Sequence, residues 1–584
     1  MRSPRFVALV LIAVGLLGLA QLTPVAAAPS NYARIRSIAR FFDVVLDKNH
    51  DGVMSQVEYK HHLQDMDSNP TIPLSYSNQR HSQLDLNKDE GITAEELCLA
   101  LEVCSAEDVE PEMFDWILTN NLTAPVQIHL AAGSTPDHMI VSWAQNITDT
   151  QNAQVHYGTQ PGAYSMSAPA SWRSYTVELN GFSYTSMPLF NATITFLTPG
   201  TRYYYIVGTD ADGYSEENSF VSLPDPSIPP EKAATLRMAT YGDQGTVIPM
   251  GATVCKWVIA EHEQNPFGLL LHLGDLAYAG VSHKMGEYEP TWDAWMEQIA
   301  PIASVMPYQT SVGNHEDFFN FASYSARFNM PGAETGGNNS FYFSFNYGSI
   351  HVTSFSTEAP YQPGTVQYEW IESDMAAARA NPNTKWLILS GHRPLYSSDM
   401  DEYNTHIPGC PLLNALEGLI NKYQVDLVLT GHTHMYERSW PVNNGTVVNM
   451  TIPAACTGEK DHERGLINEK QAFWEQVDAD APLQVFNRDA QQVAPIYIVQ
   501  ATAGVFQMEK LAEPQPVWSN FRLVGTWGYG VISVSTTSTG CSTLLYQFHT
   551  VVNNAVQIVD QFALVRQVSD GKKMIEEEEH TFKI

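Results

Sequence analysis

From about residue 235 the chain becomes a series of short apolar runs, each closing on a glycine or a turn. Leu236–Tyr241 leads into Gly242-Asp243, and Gly268–Leu273 into Gly274-Asp275-Leu276-Ala277-Tyr278. Gly313-Asn314-His315-Glu316 follows. Lys385–Ser390 then leads into Gly391-His392-Arg393-Pro394, and Val425–Thr430 into Gly431-His432-Thr433-His434, before a further run at Pro495–Gln500. Short, mostly apolar runs of this kind, alternating with helical stretches, predict α/β layers with a largely parallel core. The last runs, Gly530–Ser535 and Ser542–Phe548, read as antiparallel strands. Ligands of open α/β sheets bind beyond the carboxyl ends of the strands, so these turns converge although they lie far apart in the chain. One Gly-Asp after a strand is commonplace, and a single buried histidine is usually a core residue. Five turns in order, each supplying oxygen or imidazole, predict a metal site, with the glycines leaving room for sharp turns.

The donors define the kind of site. Asp243, Asp275, Tyr278, Asn314, His392, His432 and His434 are too many for one tetrahedral zinc. They suit two metals about 3.5–4 Å apart, with one carboxylate bridging. The mixture excludes a thiolate site, so no cysteine needs to be a ligand. A phenolate favours a hard, highly charged ion such as ferric iron, and the neutral amide of Asn314 suits a divalent neighbour.

At these residues the chain resembles the purple acid phosphatases, within the wider metallophosphoesterases. The likeness spans roughly 125–566 and extends to Trp292-Asp293, Ala326-Arg327-Phe328, Met435-Tyr436-Glu437-Arg438, Gly528-Tyr529-Gly530 and Asp560-Gln561-Phe562. It implies an α/β metallophosphoesterase sandwich with a βαβαβ core over 235–566. It also implies ferric iron on Asp243, Tyr278 and His434, a divalent metal (zinc, manganese or iron) on Asn314, His392 and His432, and Asp275 between them. Tyrosinate-to-iron charge transfer colours such enzymes. The implied reaction is hydrolysis of small phosphate monoesters in acid by metal-generated hydroxide.

His315 matches the family residue that contacts the phosphoryl oxygens. Many plant members carry histidines nine and ten residues after the equivalent of His392, which help to protonate the leaving group. Here those positions are Asp401 and Glu402, and the next histidine is His406. His315 and His406 are therefore the imidazole candidates for that proton. Two rival readings are a phosphodiesterase or nucleotide pyrophosphatase on the same metals, and a calcium-regulated secreted binding protein whose metal site is silent. The complete donor set argues against the second, because buried carboxylates and imidazoles without their metal are costly.

Upstream, residues 31–105 read as helical with two acidic loops. The first places Asp47, Asn49, Asp51, Val53, Ser55 and Glu58 at the ligand positions of a calcium loop, with Gly52 at the sharp turn. The second offers Asp85, Asn87, Asp89 and Glu96, but Glu90 stands where glycine is expected and Gly91 comes one residue late. Together the loops resemble an EF-hand pair, which lies outside the usual family architecture. Residues 125–222 read as a fibronectin-III-like all-β sandwich, with runs at Val126–Leu130, Met139–Trp143, Gln154–Tyr157 and Thr201–Gly208. Pro224, Pro226, Pro229 and Pro230 form a stiff connector, and 567–584 is an acidic tail ending near Glu576–Glu579.

The net charge of −32 repels polyanions, which excludes a nucleic-acid or anionic-membrane binder. An anionic substrate then needs a local positive charge. Residues 1–28 read as a signal peptide, with Arg2 and Arg5, the apolar run Phe6–Ala20 and small residues at Val25–Ala28. Sequons at Asn121, Asn146, Asn191, Asn338, Asn444 and Asn449 fit secretion, as do six cysteines suited to disulfides. The expected destination is extracellular, or a vacuolar or lysosomal lumen. No later segment approaches a membrane span, and a homodimer is left open.

Overall fold

The computed structural model of the chain describes residues 123–147, 150–179, 182–228, 235–246, 250–280, 289–400, 410–448, 483–489, 493–507, 509–536, 540–552 and 555–567, with scattered positions between 42 and 97. The signal peptide, the acidic tail, Asp401, Glu402, His406, and the loop residues Asp47, Asn49, Asp51, Glu58 and Asp85 lie outside the described residues, as do Asn121 and Asn449.

The β-rich module is a two-sheet sandwich. Strands Val126–Ala132, Met139–Ala144, Leu189–Ile194 and Ser171–Arg173 form one sheet in that order. The other pairs Arg202–Thr209 with Gln154–Gly158, Gly213–Tyr214 and Asn218–Val221, and Met166–Pro169 lies beyond Gln154–Gly158. Inward residues from both sheets meet in the core, where Trp143 stacks on Phe190 with ring centroids 5.2 Å apart and Tyr205 meets Phe220 edge-on.

The larger part contains two seven-stranded sheets, each joining a run of parallel strands to antiparallel ones. In the first, Tyr308–Thr310, Leu269–His272 and Leu236–Tyr241 are parallel, and Tyr529–Thr536, Cys541–Val552 and Ala555–Gln567 continue it antiparallel, with Gln484–Asn487 at the edge. In the second, Ile350–Ser354, Trp386–Ser390, Leu427–Thr430 and Ile496–Gln500 are parallel, flanked by antiparallel Phe343–Tyr347, Tyr436–Ser439 and Ser519–Leu523. Leu269, Leu270, Leu271, Leu387, Ile388 and Leu389 are all wholly buried, as strands covered on both faces must be. Helices Ala252–Gln264, Pro290–Ala303, Val366–Ala380 and Pro411–Lys422 lie between the strands in sequence. The sheets are tied at their carboxyl ends: the Gly242 N–H donates to the Gln500 carbonyl at 2.9 Å, and the Gln500 amide donates to the Thr240 carbonyl at 2.6 Å. That seam is where the metal-type donors gather.

The sandwich docks on this part through Arg327, which is 2% exposed. Its guanidinium lies 3.1 Å from Asp293 Oδ1 and donates to the hydroxyls of Tyr184 at 2.9 Å and Tyr175 at 3.0 Å and to Gln127 Oε1 at 3.1 Å. Asp293 and Arg327, one from each of two motifs singled out in the sequence, thus serve the module contact. Cys541 is disulfide-bonded, but Cys255 and Cys410 are buried free thiols, so the even count does not mean full pairing. Both sit in apolar clusters, where a small side chain with a weak donor packs well.

Candidate metal centre

Each donor sits just past the end of a strand. Asp243 follows Leu236–Tyr241, Asp275 and Tyr278 follow Leu269–His272, Asn314 follows Tyr308–Thr310, His392 follows Trp386–Ser390, and His432 and His434 follow Leu427–Thr430. Asp243, Asp275, Tyr278 and His432 have φ between 51° and 70°. Left-handed backbone is tolerated by Asp but costly for Tyr, and such strain gathers where function requires it. Two glycines are required by close approach: a Cβ on Gly313 would collide with the Asp275 carboxylate, and one on Gly431 with that of Asp243.

The structure brings all seven donors together. The Tyr278 hydroxyl donates to Asp243 Oδ1 at 3.0 Å and lies 3.3 Å from Asp275 Oδ2 and 2.9 Å from His434 Nε2. His392 Nε2 is 3.1 Å from both Asn314 Oδ1 and Asp275 Oδ2, and its ring centroid is 5.0 Å from that of His432. Donor atoms of Asp275, His392 and His432 lie within 4.8 Å of one another. Asp275 Oδ2 thus lies close to both the Tyr278 hydroxyl and His392 Nε2. His315 lies beside it, with Nε2 3.8 Å from Asp275 Oδ2 and its ring 4.4 Å from that of Tyr278.

The donors fit hard cations. Two buried carboxylates face imidazoles, a phenol and an amide oxygen, with no thiol among them. Burial works to lower the His392 pKa, but the Asp275 carboxylate outweighs it and pushes it up to about 10. His434 is likewise pushed up to about 9, against burial, by Asp243 and Glu509. Burial, with Asp243 and Asp275 alongside, drives the Tyr278 phenol far above its ordinary value. Without a cation, protons balance this charge; a bound metal displaces them and takes over that role.

Supporting groups carried no sequence signal of their own. Glu316 stood in the Gly-Asn-His-Glu run without an assigned role. Its buried carboxylate accepts the backbone N–H of Asp275 at 2.9 Å, Leu276 at 2.8 Å and Gly313 at 2.8 Å, locking two ligand loops together. Glu509 accepts the His434 N–H at 2.6 Å, and burial pushes its pKa up to about 7. Glu358 holds Arg393, whose Nη1 lies 3.1 Å from His432 Nε2.

Three family models match the chain: Purple acid Phosphatase, N-terminal domain over 125–222; Calcineurin-like phosphoesterase over 253–436; and Iron/zinc purple acid phosphatase-like protein C over 494–561. Acid phosphatase type 7 of Homo sapiens is 33% identical over 343 residues, covering 56% of this chain and 73% of that protein. The chain belongs to the purple acid phosphatase family. Acid phosphatase type 7 of Danio rerio is 30% identical over 468 residues, 76% of this chain and 92% of that protein. Purple acid phosphatase 21 of Arabidopsis thaliana is 31% identical and covers 55% of this chain and 68% of its own length. The purple acid phosphatase PPD1 of yellow lupin seeds shares the fold, with a TM-score of 0.61 and 23% identity over 76% of this chain and 75% of that one.

Proposed function

We propose that this purple acid phosphatase is a secreted enzyme that hydrolyses phosphate monoesters in acid at a dinuclear metal site. One observation carries the reading: Tyr278 sits between Asp243, Asp275 and His434, joining two carboxylates, a phenol and an imidazole from three separated loops. Asp243, Tyr278 and His434 would hold ferric iron, Asn314, His392 and His432 a divalent metal, and Asp275 both. A metal pair there lowers the pKa of bound water and offsets charge on phosphoryl oxygens.

The chain's own residues do the rest. Glu316 fixes the Asp275 and Asn314 loops against each other. His315 Nδ1 faces the Gly280 carbonyl at 3.0 Å, which sets that nitrogen as the N–H and aims Nε2 toward Asp275 and the cluster. From there Nε2 would be placed to meet phosphoryl or leaving-group oxygens. His406, the other imidazole candidate, lies outside the described residues. The test is metal analysis of purified protein with rates on mono- and bis-nitrophenyl phosphate across pH. About two metals per chain and faster monoester turnover in acid are expected; preference for the diester favours the phosphodiesterase reading, and no turnover overturns both.

The acidic loops support a calcium-binding pair. Met54 and Ile92, each the eighth residue of its loop, pair antiparallel, and Phe42, Leu46, Met54, Leu84, Ile92 and Leu97 are buried. Asn87 and Asp89 are exposed, Val53 and Ser55 half-buried, and the Glu96 carboxylate accepts the backbone N–H of Asn87 at 3.2 Å and Thr93 at 3.0 Å. A cation bound only by the folded state raises stability by mass action. Melting with calcium or chelator checks this, and an unchanged midpoint counts against it. Secretion is supported by the leader-like first 28 residues and by sequons at Asn146, Asn338 and Asn444, all exposed; Asn191 is half-buried, and its amide donates to Ser142 Oγ at 3.2 Å. Among the described residues no helix is long and apolar enough to cross a membrane. Solution mass distinguishes monomer from homodimer.

A further inference from the structure

We infer that Arg393 is a substrate-contacting residue: in the metal-loaded protein its guanidinium holds an oxygen of the dianionic phosphoryl group, and of inorganic phosphate after hydrolysis. The inference rests on the phosphatase reading above and adds to it the group that recognises the doubly charged monoester.

Arg393 follows His392 directly, so the strand that delivers a metal-type donor also delivers a permanent cation. Its backbone N–H donates to Thr357 Oγ1 at 3.2 Å. Its side chain is gripped along one edge by Glu358, with Nε 2.8 Å from Oε1 and Nη2 3.3 Å from Oε2. A two-point grip of this kind fixes the plane of the guanidinium as well as its position. The remaining nitrogen, Nη1, is thereby held 3.1 Å from His432 Nε2. The Arg393 side chain is 32% exposed, whereas that of Glu358 is 13% exposed. The guanidinium is therefore the more open side of the pair.

The contact with His432 is the part that changes. A neutral imidazole offers one in-plane lone pair, and here that pair, on Nε2, faces the Arg393 N–H. Coordination through Nε2 takes the pair itself. Coordination through Nδ1 leaves the proton on Nε2, where it faces the guanidinium N–H donor to donor. Either way, a metal held by His432 would end this one contact, while Glu358 would keep the guanidinium in place. A phosphoryl oxygen arriving at the cluster supplies an anionic acceptor, and the flat fork of arginine suits phosphate.

The test uses the full metal-loaded chain and its Arg393→Gln and Arg393→Lys variants. Inorganic phosphate is titrated in by calorimetry, with metal content and melting temperature measured alongside, so the main readout does not depend on turnover. Loss of a charge-assisted contact predicts phosphate binding weakened about tenfold to a hundredfold in Arg393→Gln, at unchanged metal content. Arg393→Lys, which keeps the charge but not the fork, falls between the two. Phosphate affinity within twofold of the parent in Arg393→Gln overturns the inference. So does a fall in metal content in both variants, which makes Arg393 a support for His432. A parent protein that holds its metals and binds phosphate but hydrolyses no monoester overturns the phosphatase reading, and the titration still judges Arg393 as an anion contact.

Discussion

The Tyr278 hydroxyl lies 2.9 Å from His434 Nε2, although 156 residues separate them. That phenol also donates to Asp243 at 3.0 Å, so one oxygen joins three loops of the proposed iron half-site. Replacing it with hydrogen removes the one group able to give charge transfer to ferric iron. Tyr278→Phe, reconstituted with iron, is expected to lack the visible band of the parent while keeping its circular dichroism. A persisting band would falsify the iron–phenolate assignment.

His434 touches the cluster at one end only, since Glu509 holds its backbone N–H and Asp243 Oδ1 lies 3.6 Å from Nε2. His434→Ala leaves the loop held by that backbone contact but deletes a donor. Turnover on a monoester should fall by more than about a hundredfold, the upper range for groups that merely support a ligand. Near-normal rates with full metal content show that the iron half-site has been misassigned.

Legibility differed between strands, ligands and their supports. Leu236–Tyr241 was readable to the residue because a mostly apolar run, broken only by Arg237 and Thr240, ends at Gly242, and the mostly apolar runs at Trp386–Ser390 and Ile496–Gln500 were readable to within one residue. The layering into a sandwich came only from the family resemblance, since strands buried on both faces carry no mark of which neighbours they pair with. The seven candidate donors were singled out by residue type and position after strands, and the fold places their side chains side by side. Glu316, Glu358, Glu509 and Arg393 were not singled out, because a charged residue in a loop looks like a solvated one until the fold places it beside a ligand. The module contact escaped for a similar reason: Arg327 lies 152 residues from Tyr175, and no local pattern links them.

Arg327 is buried, and its partners Tyr175, Tyr184 and Gln127 belong to the sandwich while Asp293 belongs to the larger part. Removing one member of a buried charge pair strands the other, at a cost of roughly 3–5 kcal/mol. Arg327→Met keeps most of the volume and leaves Asp293 with the neutral donors Tyr184 Oη, at 2.7 Å, and Gln127 Nε2, at 2.9 Å. Its denaturant midpoint should drop accordingly, and limited proteolysis should release the sandwich earlier than in the parent. Parent-like stability and cleavage mean that the contact contributes little.

Glu261 bears on how the protein withstands the acid in which it is proposed to work. Its carboxylate accepts from Arg237 at 2.6 Å and Tyr529 at 2.6 Å and lies 2.9 Å from His549 Nδ1, which ties helix Ala252–Gln264 to three strands of the first sheet. Burial works to raise its pKa, but His549, Tyr529 and Arg237 together outweigh burial and pull it down to about 2. A carboxylate whose folded pKa is depressed stabilises the protein above its ordinary unfolded value of about 4.5, and that contribution fades as pH falls toward about 2. The shift corresponds to stabilisation on the order of 3 kcal/mol near neutrality. Glu261→Gln should therefore be less stable than the parent at pH 7 by a comparable amount, with the gap narrowing from about pH 4.5 downward and nearly closing at pH 2. Urea midpoints of both proteins across that range measure it. A gap that stays constant with pH would mean that Glu261 acts through packing and hydrogen bonding alone, and that the acid limit of the fold is set by other carboxylates.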